Sequence, residues 1–343
     1  MRRGAVLLFS TFRGFQDEMK LDGYRLSGER WIHMSTVRTV TGDIDSKEMG
    51  FTMAHEHVFM DLTGHGNADN EWSLYRWKEQ LEAAQIYAAD GGGTLIDANP
   101  RTHDGRDVAR MKVLSEQTGV KVVACTGFVK DTPGFTNCQD LVNKSEDEIY
   151  EDYVREITEG IDGTDIKAGW VKGASMYMYI SPMQLKCMRA GARAARDTGV
   201  PMHTHTEIGT YGLEQVEIIK SVGLDTEQFC CAHLDRNPDY WYHKKILDQG
   251  CYIIYDGPGK AKYYPDSVRV DLLKRLCADG YGDKIMLCND MGKKSHHTVY
   301  GYGPGWCWIK DKFIPRLLDE GFSEEQCHKF MYDNPQRFYS IRK

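Results

Sequence analysis

Residues 200–207 read Val-Pro-Met-His-Thr-His-Thr-Glu. Valine, methionine and threonine suit an extended chain, and alternation along a strand sends His203 and His205 to one side and Thr204 and Thr206 to the other. The segment before it reads as a helix. Ser181-Pro182 supplies an N-cap followed by proline at the first helical position, Leu185, Met188, Ala192 and Ala195 recur at helical spacing, and Gly199 with Pro201 ends the element. A helix leading into a buried strand is one unit of an α/β fold.

The unit recurs along the chain. Short β-rich runs that end in polar or charged residues occur at 51–57, 94–99, 121–126, 169–172, 200–206, 229–233, 252–256 and 284–290. From His57 to Asp290 is 233 residues in seven intervals, about 33 per unit, and a βαβ unit needs roughly 30 or more. The predicted architecture is therefore a (β/α)8 TIM barrel of the α/β class, with a doubly wound open sheet as the alternative. Residues 1–33 are polar, mixed in charge and without sustained periodicity, so they read as an N-terminal extension, loosely attached or upstream of a true start at Met34. Residues 34–343 then form the barrel domain, opening on the strand-like Val37–Val40 and the turn Thr41-Gly42-Asp43.

Composition narrows the class further. With 343 residues, 41% hydrophobic and 11% aromatic, the chain can bury a large core. Its 27% charged residues and mean hydropathy of −0.52 exclude a multispanning membrane protein. Lys and Arg total 43 against 50 Asp and Glu, a net charge of −7 that leaves no electrostatic footprint for nucleic acid. The ten cysteines form no CxxC pair, and Cys125, Cys230, Cys231, Cys251 and Cys288 sit in apolar runs where a reduced thiol acts as a small hydrophobe. The apolar stretch Ala5–Phe9 is shorter than a signal-peptide core, so a cytoplasmic location is expected.

In such barrels the working groups lie at the carboxyl ends of the strands. The first run ends in His55-Glu56-His57, the fourth in Lys172, the fifth in His203-Thr204-His205, the sixth in His233 and the eighth in Asp290. A lone histidine there is ordinarily a hydrogen-bonded core residue. Five of them with a lysine and an aspartate suggest an open metal site of imidazole and carboxylate donors, which suits zinc, with manganese or cobalt as alternatives. Phe59 stands where the helical H-E-x-x-H motif needs its second histidine, so that motif is absent. Gly301, Gly303 and Gly305 lack the strand–turn–helix setting of a dinucleotide fingerprint, and Trp306-Cys307-Trp308 reads as core packing.

Thr39-Val40-Thr41-Gly42 with Ala54-His55-Glu56-His57 resembles the opening of the phosphotriesterase family of the amidohydrolase superfamily. The likeness continues through Val171-Lys172-Gly173-Ala174, residues 200–207, Ala232-His233-Leu234-Asp235-Arg236-Asn237-Pro238-Asp239, Asn289-Asp290 and Asp333-Asn334-Pro335-Gln336-Arg337-Phe338, covering about residues 36 to 341. The resemblance implies that His55, His57 and Asp290 hold a more buried metal ion and His205 and His233 a more exposed one. It implies that Lys172, carboxylated to N6-carboxylysine, bridges the two. An ammonium cannot ligate a cation, whereas a carbamate offers two anionic oxygens. A water shared by the ions then has its pKa lowered toward about 7. The resulting hydroxide attacks the ester, and Asp290 takes and passes on the proton. His203 falls outside that ligand set and reads as a supporting donor or a packed residue. Glu56 points away from the paired histidines, and Asp97 and Cys125 have no assigned role, with core packing expected for the thiol.

The metal centre alone does not choose among esters, lactones and phosphotriesters. The loops after the seventh run (255–267) and the eighth (290–297) resemble the branch of the family that opens phosphorylated sugar lactones. That resemblance puts phosphate binding on Lys262 and Lys293, with His296 where an aromatic hydroxyl is expected. The competing reading is four lysines forming a solvated basic rim. The expected function is a lactonase acting on a small phosphorylated sugar lactone. The alternatives are a broad carboxylesterase or phosphotriesterase using the same metals, and a non-catalytic metal-binding relative. No nucleic-acid or membrane partner is expected, and a homodimer is one assembly open to the chain.

Overall fold

The computed structural model describes residues 35–62, 70–101, 105–130, 139–260 and 262–342. The extension read over residues 1–33, and a start at Met34, lie outside the described residues. The chain opens on an antiparallel hairpin, β1 (Thr36–Thr39) with β2 (Gly42–Asp45). β3 (Phe51–Glu56) follows, then a small hairpin of β4 (Met60–Asp61) and β5 (Ser73–Leu74). The remaining strands are β6 (Gly92–Asp97), β7 (Lys121–Val123), β8 (Cys125–Gly127), β9 (Trp170–Ser175), β10 (Met202–Thr206), β11 (Phe229–Ala232), β12 (Tyr252–Tyr255) and β13 (Ile285–Leu287).

β8 to β13 form a six-stranded parallel sheet in chain order, and β3, β6 and β7 a three-stranded parallel one. β7 and β8 are halves of one predicted run, split at Ala124, whose carbonyl accepts from the Gly169 amide at 2.8 Å. At the other seam a side chain does the joining. The buried Glu56 carboxylate accepts from the amides of Asn289 (2.9 Å), Asp290 (3.2 Å) and Met291 (2.8 Å). Glu56 does turn away from the paired histidines, and it links β3 to the chain leaving β13. All eight runs expected of the barrel are thus present as parallel strands.

Their limits differ from the sequence reading most clearly in two places. The fourth run was expected to end at Lys172, but β9 continues to Ser175 because its pairing with β10 runs from Val171↔Met202 to Ser175↔Thr206. Lys172 therefore stands inside the strand, level with His203. The eighth run was expected to reach Asp290, but β13 stops at Leu287: Cys288 still donates to the Tyr255 carbonyl at 3.1 Å, and the amides from Asn289 on turn to Glu56. The helix Pro182–Thr198 has the expected Ser181 cap, closed as a capping box by Gln184, and ends on Gly199 at φ +80°. Its buried face carries Met183, Cys187, Met188 and Ala195 among others, whereas Leu185 is exposed.

Alternation in β10 works as read. Thr204 and Thr206 hydrogen-bond to the Cys230 and Ala232 carbonyls of the neighbouring strand, and Thr204 also meets Gln215 of the surrounding helix Gly212–Ser221. His203 and His205 face the interior. The C-terminal helix Asn334–Tyr339 sends Tyr339 into that interior, and all five cysteines read as apolar are free and buried. Trp306 is buried as expected, while Cys307 and Trp308 are half-buried. Among the described residues no helix is long and apolar enough to cross a membrane.

Candidate metal centre and its cavity

His55 and His205 project from within β3 and β10, whereas His233 and Asp290 follow their strands in turns. His233 and Asp290 both adopt positive φ, 67° and 51°, a conformation that costs a non-glycine residue about 1–3 kcal/mol and concentrates at functional sites. Donor atoms of His55, His57 and Asp290 lie within 4.8 Å of one another, as do those of His233, Asp256 and Asp290. The rings of His205 and His233 are 4.4 Å apart between centroids, and those of His55 and His233 are 4.8 Å apart. His205 stands outside both donor sets. Lys172 Nζ is 3.5 Å from His55 Nε2 and donates to the Ala98 carbonyl at 2.8 Å.

Hydrogen-bond partners assign which nitrogen of each ring faces the centre. The Asn99 amide donates to the Phe59 carbonyl (2.6 Å) and to Asp97 (3.2 Å), so its oxygen accepts from His57 Nδ1–H at 2.8 Å. His57 Nε2 is then a lone pair, yet it lies 3.1 Å from Asp290 Oδ1. His55 Nε2 lies 3.8 Å from the same oxygen. Tyr339 donates to the Ala54 carbonyl at 2.8 Å, so it accepts from His203 Nδ1 at 3.0 Å. His203 Nε2 therefore accepts from His55 Nδ1 at 2.9 Å, and His55 Nε2 also offers a lone pair. These three acceptors converge with no N–H or O–H of their own between them, and the one donor that faces them is a cation, the Lys172 ammonium 3.5 Å from His55 Nε2; such a set suits a metal ion.

On the opposite side, carboxylates hold the rings. His233 Nδ1 makes a short bond to Asp256, whose same oxygen accepts the His233 amide at 2.9 Å. His205 Nε2 donates to Glu207 at 2.8 Å, and Lys130 binds that oxygen at 2.6 Å. These contacts leave His233 Nε2 and His205 Nδ1 toward the centre, in the arrangement by which outer carboxylates orient metal-binding imidazoles. Although Asp256 has the right donor type, both its oxygens are committed to His233 and Arg236, so it serves as a brace.

Electrostatics favour neutral imidazoles. Burial, then Lys172, holds His55 well below the usual histidine range; burial, then Arg236, does the same for His233, and burial brings His205 down to about 4. At Asp290 burial acts to raise the carboxyl, but the Lys260 and Arg236 cations hold it well below the usual range. A cluster of neutral imidazoles around an ionised carboxylate presents ligands in their metal-binding states.

These residues floor a cavity of about 350 Å³. Its lining includes the apolar Met60, Leu62, Trp72, Val129 and Ile208 and the polar Lys130, Lys262, Lys293 and His296. Lys262 is exposed and Lys293 half-buried, with its ammonium 3.9 Å from the centre of the Trp72 ring. Burial, then the neighbouring Lys262, lowers the Lys293 pKa. The solvated-rim reading does not hold for Lys260 and Lys294. Lys294 is buried, and Lys260 donates to the Asp290 carbonyl at 2.5 Å, so it is committed to the metal side. His296 is held down to about 3 by burial and then Lys260, and its Nδ1 is buried without a hydrogen-bond partner among the described residues.

The loop after β12 reaches the cavity only because two glycines let it. A Cβ on Gly257 would stand 2.1 Å from Arg269 Nη2, and Gly259 is at φ +78° with Trp308 Nε1 2.5 Å from where a Cβ would be. The nine residues singled out in the sequence all line this one cavity, whereas nothing was assigned there to Asn99, Glu207, Arg236, Asp256, Lys260 or Tyr339. Asp256 was visible as the polar end of the seventh run and Arg236 stood in a quoted motif. Tyr339 carried no local signal. Cys125, left without a role, is buried outside both donor sets.

The family model for the phosphotriesterase family matches residues 35–339. The phosphotriesterase homology protein of Escherichia coli is 33% identical over 294 residues, covering 84% of this chain and 98% of that protein. Its crystal structure, with phosphate in the active site, superposes with a TM-score of 0.80 at 32% identity, covering 85% of this chain and 99% of that one. A phospho-furanose lactonase of Mycoplasmopsis agalactiae is 30% identical over 323 residues, 89% of this chain and 91% of that protein. A lactonase structure from Listeria monocytogenes has a TM-score of 0.85 and 34% identity, covering 90% of this chain and all of that one.

Proposed function

The chain belongs to the phosphotriesterase family of metal-dependent hydrolases acting on ester bonds, and from that premise we propose that it opens a phosphorylated sugar lactone. The observation that carries the reading is the pairing of two features in one cavity: a floor of converging imidazole and carboxylate lone pairs, and a wall with Lys262 and Lys293 close enough for one to depress the other. Two neighbouring ammonium groups repel, and an anion between them relieves that repulsion. The lactonase and phospho-furanose lactonase relatives, and the phosphate in the active site of the E. coli protein, point the same way.

In this reading His55, His57 and Asp290 hold one divalent ion, His205 and His233 the other, and Lys172, carboxylated, joins them. Zinc fits the donor set, with manganese or cobalt as alternatives. When bound, such ions polarise an ester carbonyl and acidify a water. The chain's own residues do the rest. Asn99 and the His203–Tyr339 pair fix the tautomers of His57 and His55, and Glu207 and Asp256 fix His205 and His233. Asp290 Oδ1 faces the histidines and accepts the proton released as water adds to the lactone, then returns it to the ring oxygen that leaves. Lys262 and Lys293 hold the phosphate, and His296 adds a neutral imidazole beside them. Residues 34–343 act as one hydrolase barrel, and the cytoplasm suits its free thiols.

A second reading has an observation of its own. The Met60, Leu62, Trp72, Val129 and Ile208 wall suits an uncharged apolar ester, as a broad carboxylesterase or phosphotriesterase would need. The experiment that decides is a substrate panel of lactones with and without phosphate, nitrophenyl esters and organophosphates. Phosphorylated lactones should be turned over with the highest kcat/KM. A preference for neutral aryl esters would replace the first reading with the second.

A further inference from the structure

Arg236 lies three residues beyond His233 in the turn after β11, and its side chain is 6% exposed. One nitrogen, Nη2, donates both to Asp256 Oδ1 at 2.8 Å and to Asp290 Oδ2 at 2.6 Å. The other oxygen of Asp256 takes the amide and Nδ1 of His233. The other oxygen of Asp290 faces His57 at 3.1 Å and His55 at 3.8 Å. The guanidinium carbon stacks 4.7 Å from the centre of the Tyr263 ring, which limits its swing.

We propose that Arg236 is a positioning residue that cross-braces the two halves of the metal centre, tying the carboxylate behind His233 to the carboxylate that faces His55 and His57. The inference rests on the metal-dependent reading above and deepens it. Two buried carboxylates this close repel unless a cation lies between them, and removing the cation leaves that charge uncompensated. Because one nitrogen serves both acids, rotation of either carboxylate pulls on the contact of the other. Lys260 hydrogen-bonds to the Asp290 carbonyl and lies 3.5 Å from Asp290 Oδ2, but makes no hydrogen bond to Asp256 and so does not tie the two acids together. Arg236 thereby orients Asp290 so that Oδ1, not Oδ2, meets the histidines.

The test uses the full chain, freed of metal and titrated with cobalt(II), whose visible absorption reports ligand geometry. Arg236→Met should weaken the second cobalt equivalent roughly 10- to 100-fold, the usual cost of losing an outer-shell partner, and should alter the absorption spectrum. Arg236→Lys, which keeps a cation, should recover part of both, a rescue that a purely structural loss would not give. Far-ultraviolet circular dichroism of both metal-free variants controls for folding, with the lysine variant carrying the test if the methionine one fails to fold. Two cobalt ions bound by the variants with unchanged affinity and spectrum overturn the brace alone. Fewer than two ions bound by the unaltered protein overturn the metal reading, and the brace with it.

Discussion

His203 Nε2 stands 2.9 Å from His55 Nδ1, and the proton between them belongs to His55 because Tyr339 has already claimed the proton on the far side of His203. The chain of bonds ends on the Ala54 carbonyl, an acceptor only, so its direction is fixed from that end. Tyr339→Phe removes the anchor and lets His203 adopt either tautomer. Half of those states leave a proton opposed to His55 Nδ1–H. We expect the variant to fold and to lose one metal ion to a chelator roughly 10- to 100-fold more readily than the unaltered protein, measured as metal content after dialysis against graded chelator. Unchanged retention would mean that His55 holds its tautomer without the chain.

Glu56 offers a stability test at the seam of the barrel. Its carboxylate accepts three backbone amides on the far side of the seam. Glu56→Gln keeps the shape but turns one accepting oxygen into an amide group facing an N–H. Leaving one buried donor unmet costs about 1–3 kcal/mol, which should appear as a lower urea midpoint. An unchanged midpoint would show that the seam holds without it.

Burial holds the His243 imidazole down to about 4, against an ordinary 6.5. Its Nε2–H donates to the Leu234 carbonyl at 2.9 Å, and Nδ1 accepts from the Tyr255 hydroxyl at 2.7 Å. A second proton on the ring would oppose that hydroxyl. Between pH 6.5 and pH 4 the unfolded chain therefore binds a proton that the folded chain refuses, and stability falls as pH falls. The loss for this one group is about 3 kcal/mol, at 1.36 kcal/mol per pKa unit. Above pH 6.5 it contributes nothing. His243→Gln should flatten this acid limb in urea melts taken at successive pH values, and an equally steep limb would shift the cause to other groups.

The sequence made the barrel legible because each unit repeats a local code: apolar run, polar end, helical spacing, cap. The histidines were legible because four of them form two period-2 pairs, His55 with His57 and His203 with His205, at strand ends, which points them to one mouth. What orients them was not. Tyr339 reaches Ala54 across 285 positions and Glu56 reaches Met291 across 235, and no local pattern encodes such pairs. Lys260 and Lys262 look alike in sequence, two residues apart in a loop. Only the fold commits the first to Asp290 and leaves the second in the cavity wall.

Metal content tests the centre itself. Protein purified without chelator should carry about two divalent ions per chain, as a binuclear site requires. Lys172→Ala should abolish activity, and short carboxylic acids should restore part of it by standing in for the carbamate. An active protein with one ion or none would remove the bridge, and with it the role of Lys172.

The phosphate assignment is tested at Lys262 and Lys293. Each is a point charge in the cavity wall, and Trp72 holds the Lys293 ammonium in place. If they grip a substrate phosphate, replacing either by alanine removes a charge-assisted contact worth roughly 1.5–3 kcal/mol. At 1.36 kcal/mol per decade that is a fall in kcat/KM of about tenfold to over a hundredfold. The fall should be confined to phosphorylated lactones, because a neutral lactone never makes the contact. Raising the salt concentration should weaken binding of the phosphorylated substrate in the unaltered protein and much less in the variants, since screening acts on a charge pair that they lack. Equal losses on charged and neutral lactones would assign the lysines to loop structure. No loss on either would leave Lys262 a solvated side chain, and the apolar wall would then decide what the cavity accepts.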